Sequence, residues 1–552
     1  MGCARTRYVG FLGFKLVVLL CACAAARMAS AQGQVIPQQP DLLIPPPPGS
    51  QGLMRQGLPQ SDIAEAEKAL REFLDINPGQ EDVILKLASV LVQQRRLQEA
   101  IDLLEQSVAA NPQSHKLRLA LGQAYLEGEC LCPAVDTFDA IWDENPQFND
   151  LVYWRSSAYL RNGWPLAAYW TTLYDGPVSN SDVKWAQTLV GGSALAQLGL
   201  QCEASSAFTQ VQEESGNEQL ASRAAELQQQ MDDALCSRPR FYGFLGATVR
   251  HDDNPGVLPT TNLFGVPLAK QPSWGNAFTG LAAYDVVRAY NTDVTVGYAF
   301  FNTLNYSANQ FNLIDNAVFV NAVRRGLWNN VPVYGGIRAD YDYLLVGGQG
   351  FVQRPGVTPN ITFVDSDFTS LSMLARYTRL DFINQGVPAG SPLDRDSDDY
   401  VFGVFRQRMN RTRNFNYVYG YLFDRNISQG SDFRYVGNQF QTGFNWLLKD
   451  FNNIQVGLLG SLYFRNYDNP DSFFLYRRND IEYGLAAVLL YPLSDSWYAT
   501  FAWRLDRNDS NIPIYDYVRQ TFDVGIQYNF GGFNSFTGRN SSDPNFGRRT
   551  TY

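Results

Sequence analysis

The sequence predicts two domains of opposite class, an N-terminal α-solenoid of helical repeats and then a transmembrane antiparallel β-barrel of about fourteen strands. Three observations predict it. Asn77-Pro78, Asn111-Pro112 and Asn145-Pro146 recur every 34 residues, a period of stacked helix pairs. From Arg240 the apolar period changes from helical to two and stays so. The stretch Val518–Phe530, VRQTFDVGIQYNF, then puts Val518, Phe522, Val524, Ile526, Tyr528 and Phe530 on one face and Arg519, Thr521, Asp523, Gln527 and Asn529 on the other. Alternate strand side chains point to opposite faces, and in a membrane barrel the apolar face meets lipid while the polar face lines the lumen.

Bulk properties agree with this division. The 552 residues exceed one ordinary domain. Aromatics make up 14%, with 30 Tyr and 35 Phe, which suits a barrel with aromatic girdles. A net charge of −10 argues against nucleic acid as partner, because phosphate binding needs a basic footprint. No stretch after the N-terminus is apolar enough for a membrane helix.

Taken in order, residues 1–31 carry Arg5, Arg7 and Lys15, an apolar run Leu16–Ala26 and the small-residue site Ala29-Ser30-Ala31. This reads as a cleaved secretory signal; Cys23 as a lipidation site is the alternative, behind a poor Leu20-Cys21-Ala22 lipobox. Residues 32–60, with IPQQP and IPPPPG, read as a Pro-rich tether that is semi-rigid or disordered. After signal removal Cys130, Cys132, Cys202 and Cys236 remain in an oxidising compartment, where Cys202–Cys236 is the preferred bridge among three pairings and free half-buried thiols are the alternative.

Residues 61–236 are the repeat domain. Helix-B alanines fall at Ala66, Ala100, Ala134 and Ala168, and large residues follow at Leu70, Leu104 and Phe138, with Thr172 as the exception. Helix-A small residues fall at Ala88, Gly122 and Ser156, where close helix approach needs them. On these columns the region resembles tetratricopeptide repeats from about Ser61 to Leu173, followed by a degenerate repeat (Ser181–Ser206) and a capping helix (Glu213–Leu235). The resemblance implies a concave helix-A face that binds extended peptides. By register that face carries Asp82, Leu85 and Ser89, then Lys116, Leu119 and Gln123, then Asp150, Tyr153 and Ser157.

Residues 240–530 are the barrel. Thirteen alternating segments start near Phe241, Asn276, Asp293, Leu313, Val331, Phe368, Asp399, Phe415, Tyr435, Ile454, Ile481, Trp497 and Val518. Single-chain bacterial barrels have even strand counts. Short links at Asn291-Thr292, Leu327–Asn330, Asn410–Asn414, Lys449–Asn453 and Pro492–Ser496 read as periplasmic turns. Counting up from one end and back from the other makes the Val331 and Phe368 strands run the same way. One strand must therefore lie between them, within Gly347–Asp365, giving fourteen. Arg338, Asp340, Arg406, Arg408, Arg504, Asp506, Arg519 and Asp523 read as lumen-lining charges, which either set pore selectivity or pair with one another and with a plug.

The end of the last strand resembles the C-terminal signal of outer-membrane barrels, with Asp523, Gly525, Tyr528 and Phe530 in its positions. The resemblance implies the barrel-assembly machinery as a partner. A 22-residue tail, 531–552, follows it. Catalytic chemistry has little to work with. The two histidines are His115, opening a helix A, and His251 in His251-Asp252-Asp253-Asn254-Pro255 at the end of the first strand. That run reads as a polar turn, with too few ligands for Ca²⁺, and no nucleophile is paired with a base. The expectation is no enzyme, no metal and no cofactor.

Signal, repeats and a barrel of about 290 residues in this order resemble the surface lipoprotein assembly modifier family, whose first strand often ends in an acidic-Asp-Asn run, here Asp252-Asp253-Asn254. The resemblance implies a barrel in the bacterial outer membrane, in contact with its lipid, with periplasmic repeats that receive a secreted client protein or lipoprotein. An exopolysaccharide export porin is the alternative, for which Tyr334, Tyr463 and Tyr498 would line a sugar path. A structural outer-membrane scaffold is the third reading.

Overall fold

The computed structural model describes residues 63–259, 271–383 and 385–533. The expected signal, the Pro-rich tether and the tail beyond Phe533 lie outside the described residues. The chain divides into a helical unit that ends at Ser237 and a barrel unit that starts at Arg238.

Ten α-helices are described in the helical unit: α1 (Ile63–Ile76), α2 (Glu81–Gln93), α3 (Leu97–Ala110), α4 (His115–Glu127), α5 (Leu131–Glu144), α6 (Leu151–Arg161), α7 (Pro165–Thr172), α8 (Ser181–Gln197), α9 (Gln201–Glu214) and α10 (Glu218–Ser237). Small residues set how closely each pair approaches. A Cβ on Gly122 of α4 would lie 2.5 Å from the Phe138 ring of α5, and one on Gly192 of α8 would lie 2.8 Å from Phe208 of α9. Thr172 breaks the column of large residues because α8 comes close to it: a Cβ on Gly191 would meet its Oγ1 at 2.9 Å. The expected boundary of the last repeat moves. Helix α9 continues to Glu214, and the capping helix starts at Glu218 rather than Glu213. The break is local chemistry. Gly216 takes φ +63, which glycine tolerates, and the Asn217 side chain accepts from the backbone N–H of Gln219 at 3.0 Å and of Leu220 at 3.3 Å, capping the new helix.

The barrel has β1 (Phe241–Asp252), β2 (Ser273–Arg288), β3 (Thr292–Asn305), β4 (Leu313–Trp328), β5 (Val331–Val346), β6 (Gln349–Ser366) and β7 (Thr369–Phe382). It continues with β8 (Ser397–Met409), β9 (Phe415–Ser428), β10 (Tyr435–Leu448), β11 (Ile454–Pro470), β12 (Arg477–Pro492), β13 (Trp497–Ser510) and β14 (Tyr517–Phe530). Each pairs antiparallel with its neighbours in sequence, and β1 pairs with β14 to close the ring. Closure removes every strand edge, the condition for spanning a bilayer with strands. Strand β6 fills the gap that the counting argument left. Its sequence hides it because Pro355, Gly356 and Pro359 interrupt the pattern, yet a closed ring on both sides holds them in a strand.

Turns of a few residues join β2–β3, β4–β5, β6–β7, β8–β9, β10–β11 and β12–β13 at one end, where β1 starts and β14 finishes. Most long connections leave the other end. At the seam Gly525 faces the β1 backbone so closely that a Cβ there would lie 2.0 Å from the Ala247 carbonyl oxygen. The outer face is apolar, with Val249, Phe278, Val320, Ile337, Phe402, Phe501 and Val524 exposed. Rings gather where the strands end, as in Trp497 on Tyr528 at 4.9 Å and Phe241 on Phe530 at 5.2 Å. This is the surface of a barrel built to sit in lipid with interfacial aromatic belts.

Candidate functional site

The lumen wall is polar, and many of its charges are paired. At the seam, Arg250 of β1 grips Asp523 of β14 through two hydrogen bonds of 2.7 and 2.9 Å. One step nearer the long loops, Arg519 donates to Asp252 at 3.0 Å. Arg504 bonds Asp506 at 2.7 Å. On β11–β13, Arg465 donates to Glu482 at 2.9 Å and to Asn508 at 3.1 Å, while Arg478 donates to Asp480 at 2.9 Å. Across β4–β6, Arg354 donates to Asp315 at 2.9 Å and lies 3.7 Å from Asp342. Buried charges hold their place only when paired. These pairs neutralise one another locally, which weakens their effect on passing ions.

Six of the eight expected lumen charges face inward: Arg338, Asp340, Arg504, Asp506, Arg519 and Asp523. Arg338 sits 3.6 Å from Asp340 and lies over the Phe319 ring at 3.9 Å. Arg406 and Arg408 are a correction. They share the face of Tyr400, Phe402 and Val404, while Val401, Gly403, Phe405 and Gln407 are buried. Both lie in the last turnward residues of β8, where Arg406 pairs outward with Asp365. A long basic side chain near a strand end can reach the interfacial water, so the outer face tolerates it there.

The lumen also contains part of its own chain. After β1 the connection turns inward at Asp252-Asp253-Asn254. Asn254 is fully buried. Its side-chain N–H₂ donates to the Leu258 carbonyl at 3.0 Å and to the Val518 carbonyl of β14 at 3.1 Å, and its Oδ1 accepts from the Leu258 N–H at 2.8 Å. Asp253 accepts from the Gln520 N–H at 2.6 Å. These bonds seat Val257, at φ +50, in a buried apolar cluster with Ala277, Phe301, Leu313, Leu344, Val352, Leu380 and Tyr517. Positive φ is costly for a β-branched residue, and the surrounding bonds hold it there. The cluster draws on β2–β7 and β14, so the start of this connection lies in an apolar layer at the long-loop end of the lumen. The expected polar turn is a turn, but an inward one.

Other connections interlock at the same end. Asp432 accepts from Ser472 Oγ at 2.6 Å, and its N–H donates to the Pro392 carbonyl at 3.1 Å. Tyr515 donates to Asp471 at 3.2 Å and packs with Ile512, Ile514 and Phe474. Below them three lumen tyrosines, Tyr435, Tyr463 and Tyr467, form a buried cluster; Tyr435 donates to Asp424 at 3.3 Å, and Tyr463 donates to the same carboxylate. At the turn end Phe533 stacks on lumen-facing Phe244 at 5.2 Å. His251 faces outward against Trp274 at 4.9 Å.

The positions expected to form a barrel-assembly signal lie at the closure: Asp523 in the seam ion pair, Gly525 at the close approach, Tyr528 and Phe530 in the outer aromatic belt.

In the helical unit, Asp82 and Lys116 are exposed, and Leu85, Ser89 and Ser157 are half-buried. Leu119, Gln123, Asp150 and Tyr153 are buried, which removes them from any open groove. The physical reason at α6 is the connection after α7. It passes close enough that a Cβ on Gly176 would lie 2.7 Å from Val152, and Asp150 pins it by accepting from the Ser179 N–H at 2.8 Å and Oγ at 2.7 Å. Burial pushes the Tyr153 phenol well above its ordinary pKa.

The expected Cys202–Cys236 bridge is not formed. Both lie on the α9–α10 hairpin, but α10 has 20 residues against 14 in α9. Measured from the connecting turn, Cys236 lies about 9 Å further along than Cys202 at ~1.5 Å per residue. That exceeds the reach of a disulfide.

The tetratricopeptide-repeat family matches residues 58–113 and 91–158. The helical unit is a tetratricopeptide-repeat solenoid. No curated protein matches the chain. Among solved structures, the chain is similar to a tetratricopeptide repeat protein from Parabacteroides merdae, at 16% identity over 31% of this chain and 68% of that one, with a TM-score of 0.27. It is similar to MamA from Desulfovibrio magneticus at 15% identity, 27% and 84% coverage and TM-score 0.25. A variant of OccD1 (OprD) matches at 8% identity over 52% of this chain and 95% of that chain, with a TM-score of 0.29.

The alternation that placed six lumen charges puts Arg465 on the same polar face and also holds for Arg250 and Glu482, which sequence reasoning passed over. The inward loop has no comparable signal, because nothing in Asp-Asp-Asn-Pro-Gly-Val states which way a turn bends.

Proposed function

We propose that the protein is an outer-membrane export protein whose periplasmic tetratricopeptide repeats receive a secreted client, a protein or lipoprotein, for passage through or assembly by the barrel. The observation that carries this reading is the inward first loop. A barrel with paired wall charges and the first residues of its first loop seated in an apolar layer is suited to stay shut until something displaces that segment. A client-dependent translocator needs that property, and a diffusion pore does not. The repeat domain supplies a surface of the kind that holds extended peptides, with Asp82, Leu85, Ser89 and Lys116 accessible on α2 and α4. By connectivity, only residues 238–240 separate α10 from β1, and β1 starts at the end with the short turns. In outer-membrane barrels the short turns are periplasmic. Assembly by the barrel-assembly machinery through the β14 signal belongs to the same proposal, as does the absence of catalysis.

The tyrosine cluster around Asp424 favours a second reading, a polysaccharide conduit, since rings and carboxylates suit sugar faces and hydroxyls.

The test is surface proteomics. Cells lacking the protein, and cells complemented with it, are shaved with external protease, and the released peptides are quantified. Loss of one or a few surface proteins that remain inside the mutant cell supports the proposal. An unchanged surface proteome with lost extracellular polysaccharide would replace it with the second reading.

A further inference from the structure

The chain does not leave the barrel where β14 ends. Gly531 and Gly532 take φ +62 and +69, left-handed values that glycine adopts freely. A Cβ on Gly531 would lie 2.0 Å from the Phe241 carbonyl oxygen of β1, so the turn is pressed against the rim. It brings Phe533 back to the lumen side. There its ring stacks on Phe244 at 5.2 Å and packs against a buried apolar patch of the inner wall that includes Tyr242, Leu281, Ala299 and Phe319. The Phe533 N–H donates to the Phe530 carbonyl at 3.2 Å, and its own carbonyl accepts from the Asn529 amide at 3.4 Å. Asn529 is held in turn, its Oδ1 accepting from Gln527 at 2.7 Å.

Residues 534–552 follow from this seat. They carry Arg539, Arg548 and Arg549 against Asp543, a net charge of +2 (3 − 1). The opposite charge lies on the inner wall. Asp399 of β8 and Asp424 of β9 stand within hydrogen-bond contact of each other, with Arg376 at 3.3 Å from Asp399. Two carboxylates beside one arginine leave a local negative charge, which a further guanidinium relieves. The distance can be spanned. Asp424 lies nine residues (424 − 415) up β9 from its turn-end start, about 30 Å at ~3.3 Å per residue. Arg548 lies fifteen residues (548 − 533) beyond Phe533, and that length of chain reaches up to about 50 Å. We propose that residues 534–552 continue into the lumen from the Phe533 seat and lie along its wall, with Arg548 and Arg549 at the Asp399–Asp424 pair. The segment narrows the lumen from the turn end, while the start of the first loop occupies the other. The inference goes beyond the export reading and holds whatever the barrel passes.

The experiment is trypsin digestion of the full-length protein folded in detergent, read by mass spectrometry of the released C-terminal peptides beside a heat-unfolded control. With the segment seated, cleavage at Arg539, Arg548 and Arg549 should be slower in the folded protein by about tenfold or more, because proteolysis follows the population of the open form. Phe533→Asp puts a carboxylate into the apolar seat and should restore fast cleavage at Arg539. Asp399→Asn combined with Asp424→Asn removes the negative charge and should speed cleavage at Arg548 and Arg549; it also covers a Phe533 variant that fails to fold. Cleavage as fast in the folded parent as in the unfolded control overturns the inference. Slow cleavage that neither variant changes overturns it too, since the segment would then be protected by something other than this seat and this charge.

Discussion

Replacing Asn254 by alanine should open the barrel. The side chain makes three hydrogen bonds, two within the loop and one to the Val518 carbonyl of β14. At about 0.5–1.5 kcal/mol net for each, the change removes about 3 kcal/mol from the inward position of the loop. Since each 1.4 kcal/mol is tenfold, the ratio of displaced to seated loop should rise roughly a hundredfold. A ratio shift of that size turns rare openings into frequent ones. The measurement is single-channel recording in a planar bilayer at fixed voltage, with heat-modifiable migration on a gel confirming that the variant barrel is folded. The parent should be mostly silent and Asn254→Ala should flicker open. Steady large openings of the parent, or a folded Asn254→Ala as silent as the parent, would refute the claim that this loop shuts the lumen.

Three further outcomes are expected. Asp523→Ala leaves Arg250 buried without its carboxylate and should destabilise the seam by about 3–5 kcal/mol, read as loss of the heat-resistant folded band; Asp523→Leu with Arg250→Met should recover most of it. Gly122→Val puts new atoms against Phe138 and should destabilise the repeats by about 1–3 kcal/mol, seen as a lower first transition in thermal unfolding. At Glu67, burial works to raise the carboxyl pKa, but hydrogen bonds from Arg71, Gln94 and Arg96 outweigh it and hold the pKa below the ordinary 4.5. A lowered pKa contributes stability that is present above 4.5 and lost as the pH falls through the folded value. Helical signal from the first repeats should therefore weaken on acidification below that point, and Glu67→Gln should flatten the dependence; identical acid curves for the two proteins would contradict the assignment.

The fold was legible in the chain because both of its parts are periodic. The Asn-Pro spacing of 34 and the small residues at Ala88 and Gly122 state a helix-pair repeat, since each unit must bury the same face against the next. Strict alternation from Arg240 onward states strands with one face in lipid, and parity demanded the strand that Pro355 and Pro359 conceal.

Sequence by itself therefore determined the elements, their order and the facing of Arg338, Arg504, Arg519 and Asp523. Tertiary structure alone decided what no period encodes. Asp150 is buried where a connection 29 residues on crosses the start of its helix and bonds to it. The start of the first loop lies inside the barrel because Asn254 finds the Val518 carbonyl on a strand 264 residues away. Each of these depends on contacts between distant segments, and local patterning carries no record of them.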